Sequence, residues 1–227
     1  YGEAVSNGAV SDAPPAQQPK ASITVEGNLG IAEGLTPLLE DYFGPITRTE
    51  GEGVMKVGGI TIALTDGRSA TQRMADDQHN ELVLFDLAQN YATASRIVLT
   101  AAEQASPEAL EGAIGLFQAL GKKVTTVNDI PGLVVMRTVA MLASEGADAV
   151  SQGVCDISSV DVAMRSGLNY PEGPMEWADR IGLYYVVSVM NHLQQSYGEE
   201  RYRAPLLIRK KIAAGLSFYK DKGSANE

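Results

Sequence analysis

Thiol and imidazole are scarce in this chain. Its 227 residues include one cysteine, Cys155, and two histidines, His79 and His192. A lone thiol excludes an internal disulfide and a Cys-based zinc centre, and the histidines lack metal-ligand spacing, so no metal is expected. This thrift with thiols fits a reducing compartment. Positive charge is also short: 18 Lys and Arg against 28 Asp and Glu leave a formal net charge of −10. Phosphate-backbone affinity rests on clustered Lys and Arg, so no nucleic-acid partner is expected. No apolar run is long enough to cross a bilayer and no basic-plus-apolar leader opens the sequence, so no membrane partner is expected and a cytoplasmic location is. The chain starts at Tyr1 in polar, proline-containing sequence, which reads as a segment cut from something longer.

What is present suits a globular fold. Hydrophobic residues make up 44% and charged residues 20%, and a chain of this size can bury roughly 70% of its unfolded surface. Residues 1–21 are rich in Ala, Gly, Ser, Gln and Pro without apolar periodicity, which predicts a linker, mobile unless pinned to a neighbour. From 22 to 127 short apolar runs recur at Ile23–Val25, Ile60–Leu64, Leu82–Phe85, Ile97–Leu99 and Val124–Val127. They lack strict polar alternation, as buried parallel strands do. Helical patterns lie between them at 31–44, 69–77 and 106–123, the last with Ser106 as N-cap, Pro107 at the first helical position and Gly121 closing it. Alternating strand and helix predict a parallel, helix-covered sheet.

From 128 to 219 only helical patterns are visible: one running from Pro131 to about 154, one over 158–167, a long one over 173–198 and one over 204–215. In the second, Ser158 and Asp161 have capping-box spacing and Gly167 reads as the stop. Residues 220–227 read as a tail. The predicted class is α/β followed by all-α.

The loop "VEGNLGIAEGL" follows a strand and opens a helix, the right context for a dinucleotide fingerprint. That fingerprint needs glycines at i, i+2 and i+5 so that bare backbone can approach a pyrophosphate. Counting from Gly27 puts Leu29 and Ala32 at those places, and counting from Gly30 puts Ala32 and Leu35. Gly27, Gly30 and Gly34 therefore read as a degenerate cofactor loop. A ribose-binding acid is due about 20 residues on. That region, "TRTEGEGV", reads as a loop holding Glu50 and Glu52, and Asp66 reads as a solvated cap of the next helix. His79 reads as an exposed loop histidine, His192 as a packing or surface residue of a helix, and Cys155 as a small apolar residue. Arg201, Arg203, Arg209, Lys210 and Lys211 form the one basic concentration, explained by salt bridges, with Arg201 and Arg203 as the phosphate-contact alternative. "GLNYPEGPMEWADRIGL" reads as a rigid interhelical turn in which Tyr170 and Trp177 can bury large areas.

Residues 128–211 resemble the C-terminal helical domain of 3-hydroxyacyl-CoA dehydrogenases, on "DIPGLVVMR", "GADAVSQGV", "ISSVDVAMRSGLNYPEGPMEWADRIGL" and "YGEERYRAPLLIRK". Residues 106–132 look like the last helix and strand of the preceding Rossmann domain. Residues 22 to about 100 are similar to a shortened Rossmann-like domain of the longer, duplicated dehydrogenases, more weakly, on "LTDGRSATQRMADD" and "LVLFDLAQNYATASRIVL". The resemblance implies a bacterial, NAD-dependent enzyme that oxidises the 3-hydroxyl of an acyl-CoA in fatty-acid or phenylacetate degradation. It also implies a His–Glu pair in the Rossmann domain, and Pro-Gly-Phe-x-x-Asn-Arg at the start of the helical domain.

This chain has Pro131, Gly132 and Arg137 in step, but Met136 stands where the Asn is expected, and no His-Phe-Phe-Asn-Pro stretch occurs. A thioether cannot orient a polar group as an amide does. The expectation is a non-catalytic second half: no catalytic residue, no intact cofactor site and no NAD bound to this chain. Its partners would be the N-terminal catalytic half of the same protein, an acyl-CoA through the parent enzyme, and a second copy in a homodimer. Structural or interface roles fall to Pro131, Gly132, Arg137, Asn169, Tyr170, Pro171, Gly173, Pro174, Trp177 and Asp179. Two alternatives stand beside this: a binding module for acyl-CoA or nucleotide, and a self-contained dehydrogenase with an atypical site.

Overall fold

A computed structural model describes residues 12–17 and 22–219. The chain divides into two units between Ile130 and Pro131, with the short Asp66–Arg68 segment grouped with the second. The first unit carries a seven-stranded sheet. Its strands are β1 (Ile23–Glu26), β2 (Thr47–Thr49), β3 (Val54–Val57), β4 (Ile60–Leu64), β5 (Leu82–Phe85), β6 (Arg96–Ala101) and β7 (Lys123–Thr126), in the order β2-β1-β3-β4-β5-β6-β7. Helices α1 (Thr36–Phe43), α2 (Ala70–Asp76) and α3 (Pro107–Ala119) connect them. β5 is buried at every position, as the continuous apolar run "LVLF" requires when both faces are covered.

The sheet is mixed where uniform parallel pairing was expected. β1–β2, β4–β5 and β6–β7 are parallel, whereas β1–β3, β3–β4 and β5–β6 are antiparallel. The cause is local. Gly58 and Gly59 both have positive φ, and Val57 pairs directly with Ile60 across them. That is a two-residue hairpin of the kind only glycine or asparagine makes readily, and it forces β4 back alongside β3. The stretch read as a loop thus contains β2 and β3, with a turn at 50–53 between them.

The segment predicted as a mobile linker is in part pinned. Ala13 donates its N–H to the Val124 carbonyl at 2.8 Å, Ala16 donates to Gln118 Oε1 at 2.9 Å, and Asp12 pairs with Arg96 at 2.6 Å. Residues 12–17 so dress the edge strand β7, whose outer backbone groups need partners. The rest of that linker, 1–11 and 18–21, and the tail 220–227 lie outside the described residues.

The second unit is helical: α4 (Val135–Ser151), α5 (Ile157–Leu168), α6 (Pro174–Ile181), α7 (Leu183–Tyr197) and α8 (Leu206–Ala214). The single long helix read over 173–198 is two, because Gly182 takes φ 98 and ψ 121, which no helix accommodates. α5 is capped by Asp156, whose carboxylate accepts from Ser159 N–H at 2.7 Å, and it ends at Asn169 in the left-handed region. Neither Ser158 nor Gly167 has the role first assigned.

Asp161 has a different task from the capping box expected of it. Its carboxylate is fully buried and accepts from the N–H groups of Met175 at 2.8 Å and Glu176 at 3.1 Å, the open first turn of α6. These donors have no partner within the helix, and the dipole there favours a negative charge. Pro174 at the preceding position has no N–H to satisfy. A Cβ on Gly173 would lie 2.1 Å from Asp161 Cγ, so the carboxylate reaches the helix only past a glycine. Gly146 of α4 likewise leaves room for Met175 and Val160. We predict that Asp161→Ala lowers unfolding stability by about 2–4 kcal/mol, since it strands buried donors. Gly173→Ala should fall in the same range, read by urea denaturation. An effect below about 0.5 kcal/mol for both would remove Asp161 from the centre of the unit.

Candidate functional site

Three places drew attention in the sequence: the first loop, the Pro131–Arg137 stretch and the 167–183 turn. In the first loop, Gly27 has φ 68, and a Cβ there would sit 2.2 Å from the Gly51 carbonyl oxygen. A Cβ on Gly53 would lie 2.5 Å from the Asn28 carbonyl oxygen. The glycines at 27, 51 and 53 serve close approach of the chain's own β2–β3 turn to this loop. The loop amides are also taken. Leu29 N–H donates to Glu33 Oε1 at 2.9 Å, and Gly30 N–H donates to Asn28 Oδ1 at 2.6 Å. Arg48 pairs with Glu33 at 2.8 Å and, with the Leu29 and Thr36 hydrogen bonds, holds the Glu33 carboxyl below the usual range. Gly30 has open space around it and Gly34 makes only ordinary contact with Tyr91 and Ala92. The helical pattern after the loop opens as a 3-10 stretch, Gly30–Leu35, before α1.

In the Pro131–Arg137 stretch, Gly132 and Leu133 both have positive φ, which turns the chain into α4. A Cβ on Gly132 would press on Leu193 at 3.0 Å. Met136 is fully buried on the same side of α4 as Val139, Ala140 and Ala143. Arg137 lies with its guanidinium carbon 4.8 Å from the ring centre of Tyr197 and 5.3 Å from that of Tyr202, and it donates to both hydroxyls. The two rings are stacked 5.2 Å apart. Arg137 is a packing cation that fixes the α7–α8 connection.

In the 167–183 turn, Tyr170, Pro171, Pro174 and Trp177 face Val134, Thr138 and Leu142 of the α4 region across an apolar pocket of about 270 Å³. Glu172 at its edge is held by Arg180, which also lies over the Trp177 ring at 5.8 Å. The buried Trp177 Nε1 has no hydrogen-bond partner. Asp179 accepts from the N–H groups of Phe218 at 2.8 Å and Tyr219 at 2.9 Å, tying the end of the described chain to α6. Asn169 sits at the left-handed end of α5, outside the pocket.

Asp66 and His79 depart from their sequence readings. Asp66 is no solvated cap: its carboxylate turns back on Arg68, accepting from its N–H and guanidinium. The cap of α2 is Ser69, and Asp129 accepts from Ala70 and Thr71 N–H at 2.6 and 2.8 Å. His192 Nδ1 lies 2.7 Å from the Asp66 carbonyl oxygen, so it anchors that segment to α7. His79 is half-buried with Nε2 sealed from solvent; burial pushes its pKa down against the opposing pull of Asp77. Arg201 is paired with Glu199, and Arg203 is exposed. Cys155 is half-buried and reduced.

A mixed sheet with flanking helices is followed by a helical unit built around the Asp161–Gly173–Pro174 contact. Residues 62–131 match the 3-hydroxybutyryl-CoA dehydrogenase reduced Rossmann-fold domain, and residues 132–225 match the 3-hydroxyacyl-CoA dehydrogenase C-terminal domain. The chain belongs to the 3-hydroxyacyl-CoA dehydrogenase family. It is 34% identical over 175 residues to the 3-hydroxyadipyl-CoA dehydrogenase of Escherichia coli strain K12, covering 76% of this chain and 36% of that protein. A probable 3-hydroxybutyryl-CoA dehydrogenase of Deinococcus radiodurans is 37% identical over 99 residues, 44% of this chain and 36% of the relative. The crystal structure of 3-hydroxybutyryl-CoA dehydrogenase from Escherichia coli K12 superposes with a TM-score of 0.67 at 32% identity, over 73% of this chain and 34% of that one. This chain thus spans about a third of the length of these curated relatives. Among the described residues no helix is long and apolar enough to cross a membrane.

The clamp at the chain end yields a pH test. Tyr219 OH donates to Asp161 Oδ2 at 2.7 Å, and burial together with that carboxylate raises the tyrosine pKa. A raised pKa means the folded state holds the proton more tightly. The stabilisation is therefore complete below the ordinary tyrosine value of about 10 and is lost as pH rises beyond it. Wild type should exceed Tyr219→Phe in stability by about 1 kcal/mol at pH 8, and the gap should shrink at pH 10.5. A gap that is constant with pH would show that the hydroxyl proton is not shared with Asp161.

Proposed function

We propose that this chain is the assembly half of an NAD-dependent 3-hydroxyacyl-CoA dehydrogenase, the oxidation of a 3-hydroxyacyl-CoA to the 3-oxoacyl-CoA being carried out by an N-terminal half of the same protein. The observation that carries this reading is the first loop. A dinucleotide loop offers bare glycines and unpaired amides to a pyrophosphate. Here the close approach at Gly27 is used by the turn at 51–53, and the Leu29 amide is used by Glu33, whose negative charge opposes an anion. Met136 supports it, because a buried thioether replaces an amide at the position where the family places Asn.

The assembly role draws on α5. Its one fully buried residue is Asp161, while Val162 and Leu168 are 53% and 63% exposed and Val154 just before it is 73% exposed. A helix held by a polar anchor with its apolar side chains outward is suited to a partner. That partner is the helical domain of the catalytic half, or a second copy of this chain when that half is missing. NAD and acyl-CoA belong to the parent enzyme. The names of the relatives leave straight-chain and dicarboxylic acyl groups both open for it.

Titration of NADH and acetoacetyl-CoA into the purified chain, with heat and nicotinamide absorbance both recorded, tests the non-catalytic half of the proposal. The expected result is no uptake and no oxidation. Turnover would overturn it in favour of a self-contained dehydrogenase, and CoA binding without turnover that fails in Arg201→Ala or Arg203→Ala would favour a binding module. Assembly is read separately by sedimentation: wild type should self-associate, and Val162→Glu with Leu168→Glu should give monomers with unchanged circular dichroism. A monomeric wild type at tens of micromolar would sink the α5 interface.

A further inference from the structure

His79 carries a ring nitrogen, Nε2, that is shut off from solvent and has no hydrogen-bond partner. A buried polar atom left in that state costs free energy comparable to a lost hydrogen bond, so it calls for an explanation. Two carboxylates approach this ring. Glu52, Asp77 and His79 each offer one ligand atom, and these three atoms all lie within 4.8 Å of one another.

Two separate pieces of backbone bring them together: the turn between β2 and β3, and the end of α2. Glu52 is exposed on the turn between β2 and β3, and the glycines on either side of it pin that turn against the first loop. Asp77 closes α2, and its Oδ2 lies 3.3 Å from Arg73 Nε, which orients the carboxylate. Gln78 takes φ 56 and reverses the chain, so that His79 N–H donates back to the Met74 carbonyl at 3.1 Å. The main chain of His79 is thus set in place beside Asp77.

We propose that Glu52, Asp77 and His79 form a binding site for one divalent transition ion, with zinc the best fit and water completing its coordination. One imidazole and two carboxylates make a mixed nitrogen–oxygen donor set, which suits zinc or manganese better than the all-oxygen demand of calcium or magnesium. Ligands about 2.0–2.2 Å from zinc sit about 3.3–3.6 Å from each other in a tetrahedral site. The upper bound of 4.8 Å here exceeds that by about 1.2–1.5 Å, a gap that side-chain rotation has to close, with exposed Glu52 the freest of the three to move. The bound ion would fasten the β2–β3 turn to the end of α2. This site is independent of the acyl-CoA chemistry proposed above.

The test is calorimetric titration of zinc, manganese, calcium and magnesium chlorides into the full chain after chelator treatment, with thermal unfolding in parallel. The expected result is one zinc per chain and a raised Tm. His79→Ala and Glu52→Gln should each weaken zinc binding at least tenfold, as loss of even an outer partner of a metal ligand does. Glu52 is exposed, so its variant keeps the test valid should His79→Ala unfold the unit. With cobalt substituted for zinc, a visible d–d band lost in His79→Ala would report nitrogen coordination. Absence of stoichiometric zinc or manganese uptake would overturn the proposal. So would uptake that is indifferent to both substitutions, or weak calcium and magnesium binding alone, which is the behaviour of a solvated acidic surface.

Discussion

The helical unit depends on one buried carboxylate. Asp161 is fully enclosed, and a charge in that position is tolerable only when donors surround it. It finds them in the first-turn amides of α6 and in the Tyr219 hydroxyl. Much of the neighbouring sequence follows from this need. Gly173 exists because any side chain there would occupy the carboxylate's volume, and Pro174 because its position needs no donor. Asn169 ends α5 in a left-handed turn so that the chain can reach α6 from the correct side. The "GLNYPEGP" run is thus the covalent route around one ion–helix contact.

The same contact explains why α5 leaves so much apolar side chain outside. Helices of globular domains are ordinarily held by a buried apolar stripe. α5 is held at its centre by a polar anchor, with Tyr219 and the α6 amides gathered on Asp161. Val160 packs on α4 at Gly146, while Val162 and Leu168 stay exposed.

The strands with continuous apolar runs were legible, because β4 and β5 must be covered on both faces and their composition says so. β2 and β3 were not. "TRT" is polar and wholly exposed, and the Gly58–Gly59 hairpin signal was passed over inside a glycine-rich stretch. That omission also hid the mixed direction of the sheet. The break at Gly182 was hidden for the opposite reason: apolar periodicity continues through it, and only the backbone conformation separates α6 from α7. The Glu52–Asp77–His79 grouping was invisible to ligand spacing, since Glu52 comes from the turn between β2 and β3, remote in sequence from α2. Spacing rules find groupings on one element, and this one joins two backbone segments.

Asp161, Gly173 and Pro174, within the run that carries the resemblance most specifically, meet inside the helical unit, where they answer to packing. Met136, the position where the resemblance fails, lies on the buried side of α4 beside Val139, Ala140 and Ala143, where a thioether packs as well as an aliphatic side chain. The first loop shows the same division: the strand-turn-helix shape is intact, while its amides and its close approach are spent on Glu33 and on the turn at 51–53. Folding constrains Asp161, Gly173 and Pro174 whatever the protein does. At Met136 and in the first loop the contacts present are those of packing and of local hydrogen bonding.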